Sequence, residues 1–125
     1  MMINKISTDK APGAIGPYSQ ALDIGNMVFT SGQIPINPAT GAMPESIEEQ
    51  AKQSLTNVKN ILESAGLSMA NVVKTTVFLS DLNDFAAVNE VYATFFSEPY
   101  PARSCVQVAA IPKGAKVEIE AIAIK

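Results

Sequence analysis

Hydrophobic side chains recur every three or four residues in two stretches of the chain, the spacing of an amphipathic helix. The first stretch predicts a helix over residues 46–65, where Ser46 and Glu49 form a capping-box pattern at the start. Gly66 supplies the residue that ends it. The second helix is predicted to begin at Asp81 as N-cap and to stop before Pro99. Its apolar members are Phe85, Val88, Tyr92 and Phe95.

Six other runs are rich in β-branched and apolar residues and predict strands. They cover residues 3–7, 19–24, 27–33, 72–80, 102–109 and 116–124. The Gly25–Asn26 step predicts a tight hairpin between the second and third strands. Strands in several pieces with two interleaved helices predict an α+β fold, in which both helices lie on one side of the sheet.

Both faces of the predicted sheet carry apolar residues. The fourth strand is expected to divide Val73, Val77 and Leu79 from Val72 and Phe78, and the last strand to divide Val117 and Ile119 from Ile122 and Ile124. Because two helices cover only one face, we predict that the other is buried against further copies of the chain in a homo-oligomer. The alternative is a monomer whose sheet curls tightly enough to hide its own second face.

Composition limits the class of protein. A chain of 125 residues predicts a single domain over residues 1–125, and 47% apolar residues are enough to fill its core. The formal net charge of −3 has the wrong sign for a surface that neutralises phosphates, so nucleic acid is a poor partner. No stretch approaches the roughly 20 apolar residues of a membrane span, and we expect no membrane association.

The absence of histidine excludes more chemistry than any other feature of the composition. Serine–histidine triads, histidine acid–base pairs and histidine metal sites cannot be built without it. The single cysteine, Cys105, can form neither an internal disulfide nor a multi-thiolate metal site, so a reducing cytoplasm is the expected compartment.

The densest polar group lies on the last two predicted strands. Alternation places Arg103, Cys105 and Gln107 on one face of their strand, and Glu118 and Glu120 share a face of the next. The loop over residues 110–115 is short, which predicts that the two strands are hairpin neighbours and that a carboxylate lies near the arginine. Two unpaired buried glutamates would repel, so one of them should have a different partner.

Two interpretations of this group remain open on the residues alone. In the first, Arg103 forms a structural cross-strand ion pair with a glutamate and Cys105 is an ordinary core residue. In the second, the planar guanidinium grips a substrate carboxylate through two hydrogen bonds while a glutamate orients water.

Several motifs, in this order along nearly the whole chain, resemble the RidA/YjgF/YER057c/UK114 family. They are Gly16-Pro17-Tyr18, Thr30-Ser31-Gly32-Gln33-Ile34-Pro35, Lys74-Thr75-Thr76-Val77-Phe78, Val88-Asn89, Pro101-Ala102-Arg103-Ser104-Cys105-Val106 and Glu118-Ile119-Glu120-Ala121. The resemblance implies a chorismate-mutase-like fold and a homotrimer with a central sheet-lined core and sites between subunits. It also implies hydrolysis of enamine/imine intermediates, 2-aminoacrylate and 2-aminocrotonate, to 2-oxo acids and ammonium, with no metal or cofactor.

By the same resemblance, Arg103 holds the substrate carboxylate and Glu118 positions the attacking water. Cys105 lines the pocket beside the reacting carbon, and Tyr18 closes over the substrate. The residues that shape the cavity are Ser31, Gly32, Asn89 and Pro112. The chain departs from the family pattern at Gln107, where relatives often carry an acidic residue, and in a shorter segment over residues 97–100, which affects pocket detail. The alternatives are a non-catalytic regulatory trimer that binds small carboxylates, or an endoribonuclease that inhibits translation.

Overall fold

The structure is a computed structural model and describes residues 2–125. This part of the chain contains two α-helices and six β-strands. The strands are β1 (Asn4–Ile6), β2 (Ala21–Asp23), β3 (Met27–Thr30), β4 (Val72–Leu79), β5 (Ala102–Gln107) and β6 (Val117–Ile124). The helices are α1 (Ile47–Ser64) and α2 (Phe85–Ala93). No helix in this part of the chain combines the length and hydropathy needed to cross a membrane.

Helix α1 lies where the hydrophobic spacing predicts it. The Ser46 hydroxyl accepts a hydrogen bond from the Glu49 N–H at 3.2 Å, which satisfies one of the free donors of the first turn. At the other end Gly66 adopts a φ of +80°, and Leu67 donates back to the Leu62 carbonyl at 2.9 Å. The buried stripe of α1, which includes Leu55, packs on the sheet.

Helix α2 begins later and ends earlier than predicted. Asp81 accepts a hydrogen bond from the Asn83 N–H at 2.9 Å and so caps a 3₁₀ turn over Leu82–Asp84, which runs directly into α2. Phe95 lies beyond the last helical residue, although it still packs against the core. Both helices contact each other on one side of the sheet, as predicted.

The sheet has the order β1-β2-β3-β6-β4-β5, and all neighbours are antiparallel except β4 and β5. The prediction that the last two strands are hairpin neighbours is therefore wrong. Strand β6 buries alternate residues from Val117 to Ala123 completely or nearly so, which suits a central position between β3 and β4. Strand β5 is polar and mostly exposed, which suits an edge, and α2 provides its parallel crossover from β4.

The other strand predictions are confirmed, each shortened by one to three residues, and the Gly25–Asn26 hairpin is present. Strand β3 stops at Thr30 because the chain bulges there. Four residue steps lead from Phe29 to Gln33, whereas three lead from Ile122 to Ile119 on β6, so one residue is extra. The Thr30 hydroxyl accepts the Ala121 N–H at 3.0 Å, in place of a ladder hydrogen bond.

The two faces of the sheet differ in what covers them. The helices bury Val77, Leu79 and Ile119, whereas Phe29 and Val106 on the opposite face remain 38% and 44% exposed. Leu22 and Ile124 extend this outer apolar face. The predicted grouping of Val73 with Val77 and Leu79 is wrong, because the register shifts between Val72 and Lys74 and places Val72 inside and Val73 outside.

Candidate active site

A cleft of about 990 Å³ opens beside the bulge at the end of β3. Five of the predicted site residues line it, and we refer to them as the cleft group: Tyr18, Ser31, Gly32, Pro112 and Glu118. Residues from the segments 8–18, 31–41 and 112–113 complete its walls. The cleft therefore lies among loops that only long-range contacts can hold in place.

Buried amide side chains supply those contacts. The Gln20 side chain accepts the Thr8 N–H at 2.7 Å and donates to the Pro12 carbonyl at 2.8 Å, which fixes one wall. The Asn57 side chain, fully buried on α1, donates to the Ile36 carbonyl at 3.0 Å and fixes the other. Neither residue is among the predicted site residues. A polar residue inside an apolar helical stripe, as at Asn57, is a signal for such a tether, but it does not name the partner.

The bulge fixes the floor of the cleft. The Ser31 hydroxyl donates to the Ser19 carbonyl at 2.6 Å, so its orientation is set. A Cβ atom added at Gly32 would overlap Oε2 of Glu118 and lie 2.8 Å from its Cδ. The carboxylate thus lies against the Gly32 backbone, and a side chain at this position would displace it. Within residues 2–125 the Gly32 N–H has no hydrogen-bond partner, so it can donate to a ligand.

Glu118 is the partly buried acid of the cleft. Burial raises the pKa of its carboxyl above the ordinary range, and the negative charge of Glu120 raises that pKa further. The partner expected for one of the two glutamates is not found among residues 2–125, where the ion pair present joins Lys125 and Asp23. An unpaired carboxylate with a raised pKa is a better proton acceptor than an exposed one.

The remaining predicted residues, Asn89, Arg103 and Cys105, lie apart from the cleft, and we refer to them as the arginine group. Arg103 is the chain's only arginine, and its Nη1 donates to the Asn89 side-chain oxygen at 2.7 Å. No carboxylate in residues 2–125 lies within ion-pair distance of it. The structural interpretation, an ion pair with a glutamate, is therefore wrong for the single chain, and the guanidinium keeps its charge available.

Cys105 faces the core from the same side of β5. Burial raises the pKa of its thiol, and the positive charge of Arg103 only partly opposes that increase. The thiol form is therefore favoured, which suits a residue that lines a pocket rather than a nucleophile.

In the described part of the chain no group of three His, Cys, Asp or Glu side chains could hold a metal ion.

Strand β5 also offers backbone donors. The Val108 N–H donates to the Leu79 carbonyl at 2.9 Å, so even-numbered residues pair with β4. In a parallel ladder the alternate residues then point their N–H groups away from that neighbour. The N–H groups of Arg103 and Cys105 accordingly face the open edge of the strand that carries the guanidinium, and they can donate to a small anion.

The cleft group and the arginine group lie on opposite faces of the sheet. Arg103 is in register with Thr75 on β4, whose side chain is buried under the helices. Glu118 is in register with Phe78 on the outer face. Because residues in register point to the same side, Arg103 and Glu118 point to opposite sides of one sheet. The predicted proximity of the two residues within one chain is wrong.

Comparison with known proteins adds independent findings. The family model described as Endoribonuclease L-PSP matches residues 8–125. A 2-iminobutanoate/2-iminopropanoate deaminase of Escherichia coli K12 is 58% identical over 127 residues, which cover 99% of both chains. Two solved structures, E. coli TdcF with bound serine and the E. coli YjgF gene product, each have a TM-score of 0.94 and 58% identity, and each match covers 98% of both chains.

Proposed function

Because the chain belongs to the Endoribonuclease L-PSP family, with the RidA and YjgF proteins, we propose that it is a 2-iminobutanoate/2-iminopropanoate deaminase. Its substrates are the reactive imines that form from 2-aminoacrylate and 2-aminocrotonate, which pyridoxal-phosphate enzymes release. The observation that carries the proposal is the guanidinium of Arg103, which no carboxylate of residues 2–125 neutralises and which lies on the edge strand of the sheet.

The reaction is a hydrolysis of a carbon–nitrogen double bond. Water adds to the imine carbon of the protonated 2-imino acid, and the resulting carbinolamine loses its nitrogen as ammonium. One water is consumed, and a 2-oxo acid remains. Water attacks such imines without a catalyst, so a protein needs only to hold the anion, position the water and move a proton. The proposal accordingly assigns the reaction no cofactor.

The arginine group binds the substrate carboxylate. The planar guanidinium can donate two parallel hydrogen bonds to the two carboxylate oxygens, which sets the direction of the substrate as well as its presence. The outward N–H of Cys105 adds a donor, and its thiol side chain lines the pocket near the reacting carbon. The Asn89 side-chain oxygen accepts from Nη1 and so helps to orient the guanidinium.

The cleft group handles water and the proton. Glu118 accepts a proton from the attacking water, and its raised pKa makes it suited to return that proton to the leaving nitrogen. The N–H of Gly32 can donate to the oxygen that develops on the substrate. Tyr18, which is 54% exposed, closes over the substrate, and Ser31 and Pro112 shape the wall.

The two groups meet only if two copies of the chain associate. The outer apolar face, with Leu22, Phe29, Val106 and Ile124 exposed, supplies a surface for this. We propose a homotrimer of chorismate-mutase-like subunits around a central sheet-lined core. The arginine group of one subunit then completes the cleft of the next, which gives three sites per trimer.

The proposed compartment is the cytoplasm, where the enzymes that release such imines act. A regulatory role would use the same carboxylate site without hydrolysis. An RNA substrate fits the chain less well, because the net charge is −3 and the phosphate backbone requires basic groups. Small 2-imino and 2-oxo acids remain the proposed partners.

The test generates 2-aminoacrylate from serine with a dehydratase and follows imine loss and pyruvate release with and without the protein. We expect the protein to accelerate both, since it supplies water positioning and a base. Calorimetry with pyruvate is run on the same preparation. If pyruvate binds but the imine is lost no faster, the regulatory alternative replaces the enzyme. If the protein neither binds pyruvate nor accelerates the reaction, both functions are refuted.

The pH dependence of the rate enhancement reports on Glu118. An unperturbed glutamate titrates at about pH 4.3, and the raised pKa of Glu118 places its protonation above that value. The catalysed rate divided by the uncatalysed rate should therefore fall as pH decreases through this pKa, because the base is lost. Replacing Glu120 by glutamine removes one cause of the increase and should move the fall to lower pH. If the rate ratio falls at the same pH in Glu118→Gln as in the wild type, the titrating group is not Glu118.

A further inference from the structure

Helix α2 presents three side chains to the Arg103 guanidinium. Phe85, Asn89 and Tyr92 are four and three residues apart and therefore share one helix face. The guanidinium carbon lies 4.9 Å from the centre of the Tyr92 ring and 5.4 Å from that of Phe85. Both distances are within the range in which an aromatic ring attracts a cation.

The closer ring is itself anchored. The Tyr92 hydroxyl and the Thr75 hydroxyl are 2.7 Å apart in a buried hydrogen bond. Thr75 is 1% exposed and is the residue of β4 in register with Arg103. The Tyr92 ring also packs against Phe96 with centroids 4.6 Å apart. One buried hydrogen bond thus connects the ring beside the guanidinium to the strand next to it.

We propose that Phe85 and Tyr92, with Thr75 behind Tyr92, are positioning residues that hold Arg103 in the orientation that binds the substrate carboxylate. This inference rests on the proposed function for the identity of the anion. The two rings contact the arginine and Thr75 contacts Tyr92, so all three act through Arg103 and not on the reacting atoms. Both aromatic residues belong to the apolar stripe predicted for the second helix, but Phe85 is 38% exposed.

The chemistry of the three contacts explains why they suit this role. A carboxylate partner would also fix a guanidinium, but it would cancel the charge that the substrate needs. Two aromatic rings and one amide oxygen restrain it without neutralising it. The guanidinium has five N–H donors, and Asn89 accepts from Nη1 alone, so donors remain for both oxygens of a substrate carboxylate.

The first arm of the test detects the arrangement itself. Because the chain has one arginine, its side-chain nitrogen signals are assigned without ambiguity in a ¹⁵N-labelled full-length protein. We expect ring-current-shifted signals in the wild type, which move toward free-arginine positions in Phe85→Leu. Leu82→Ala, which truncates an exposed apolar side chain in the same segment, is the control and should leave them unchanged.

The second arm measures what the arrangement does, with pyruvate as the probe and pyruvamide, which lacks the carboxylate, as its neutral counterpart. Loss of one exposed ring–cation contact should weaken pyruvate binding by about two- to fivefold in Phe85→Leu. Pyruvamide binding should not change, and Phe85→Tyr should restore pyruvate binding. Tyr92→Phe keeps the ring but loses the Thr75 hydrogen bond, and it should also weaken pyruvate selectively.

The outcomes separate the inference from the proposed function. Wild-type pyruvate affinity in Phe85→Leu, or an equal loss for pyruvate and pyruvamide, would overturn the positioning role. Unshifted arginine signals in the wild type would do the same. If the signals shift as expected and pyruvate binds, but imines are not hydrolysed faster, the positioning role stands and the proposed enzyme activity fails.

Discussion

Replacement of Arg103 by alanine is expected to lower kcat/KM for imine hydrolysis by about 10²- to 10⁴-fold. Two charge-assisted hydrogen bonds to the substrate carboxylate are lost, each worth about 1.5–3 kcal/mol, and each 1.4 kcal/mol corresponds to about a factor of ten. Arg103→Lys keeps the charge but not the planar fork, so its activity should lie between those of the wild type and the alanine variant.

The measurement is the imine assay over a range of substrate concentrations, with circular dichroism and the oligomeric state as checks of the fold. Arg103 is exposed on an edge strand, so its truncation should not unfold the chain. Lys52→Ala removes an exposed positive charge from α1 and serves as the matched control, with wild-type activity expected. Activity of Arg103→Ala within threefold of the wild type would refute the role of the guanidinium.

The variants Arg103→Ala and Glu118→Gln, each inactive alone, are expected to regain hydrolytic activity when they assemble in one oligomer. Arg103→Ala retains Glu118, and Glu118→Gln retains Arg103, so a site between unlike subunits can contain both native residues. In a trimer that contains both variants, one of the three sites combines the two native residues, so the purified mixed trimers should recover about a third of the wild-type activity.

The experiment requires exchange of subunits, so the two variants are co-expressed with different affinity tags and purified on both. The chain that carries both substitutions is the control, and it should gain nothing from co-assembly with itself. Recovery above the sum of the separate variants locates the site between subunits. If verified mixed oligomers show no recovery, each site belongs to one chain, and the proposed pairing of Arg103 and Glu118 is wrong.

Local features of the fold could be predicted from the sequence because local interactions determine them. The α1 helix follows from its apolar spacing, from Ser46 at its start and from Gly66 after its end. The two-residue turn at Gly25–Asn26 follows for the same reason. The alternation of Glu118 and Ile119 along β6 is confirmed, because period-two patterns need no knowledge of neighbouring strands.

Strand neighbours could not be predicted in this way. The short loop after β5 suggested a hairpin, but the order of the strands follows their burial. Every second residue of β6 is buried, which suits the centre of the sheet, whereas β5 has no buried residue and lies at the edge. The bulges near Thr30 and Val73 were also missed, because an extra residue looks the same as any other until its partner strand is known. For the site, the sequence identified residues that a single chain separates into two groups. It could not name the loop carbonyls that Gln20 and Asn57 bind, because those contacts are long-range.

The extra residue between Phe29 and Gln33 interrupts the pairing of β3 with β6, and the protein nevertheless keeps it. Its deletion would let β3 and β6 pair without interruption, and the residues between Phe29 and Gln33 would lose the bulged course that brings them beside Glu118. Gly32 would then withdraw from Glu118, and the acid would lose the backbone against which it lies. Selection for a more stable protein and selection for a working one therefore oppose each other at this residue.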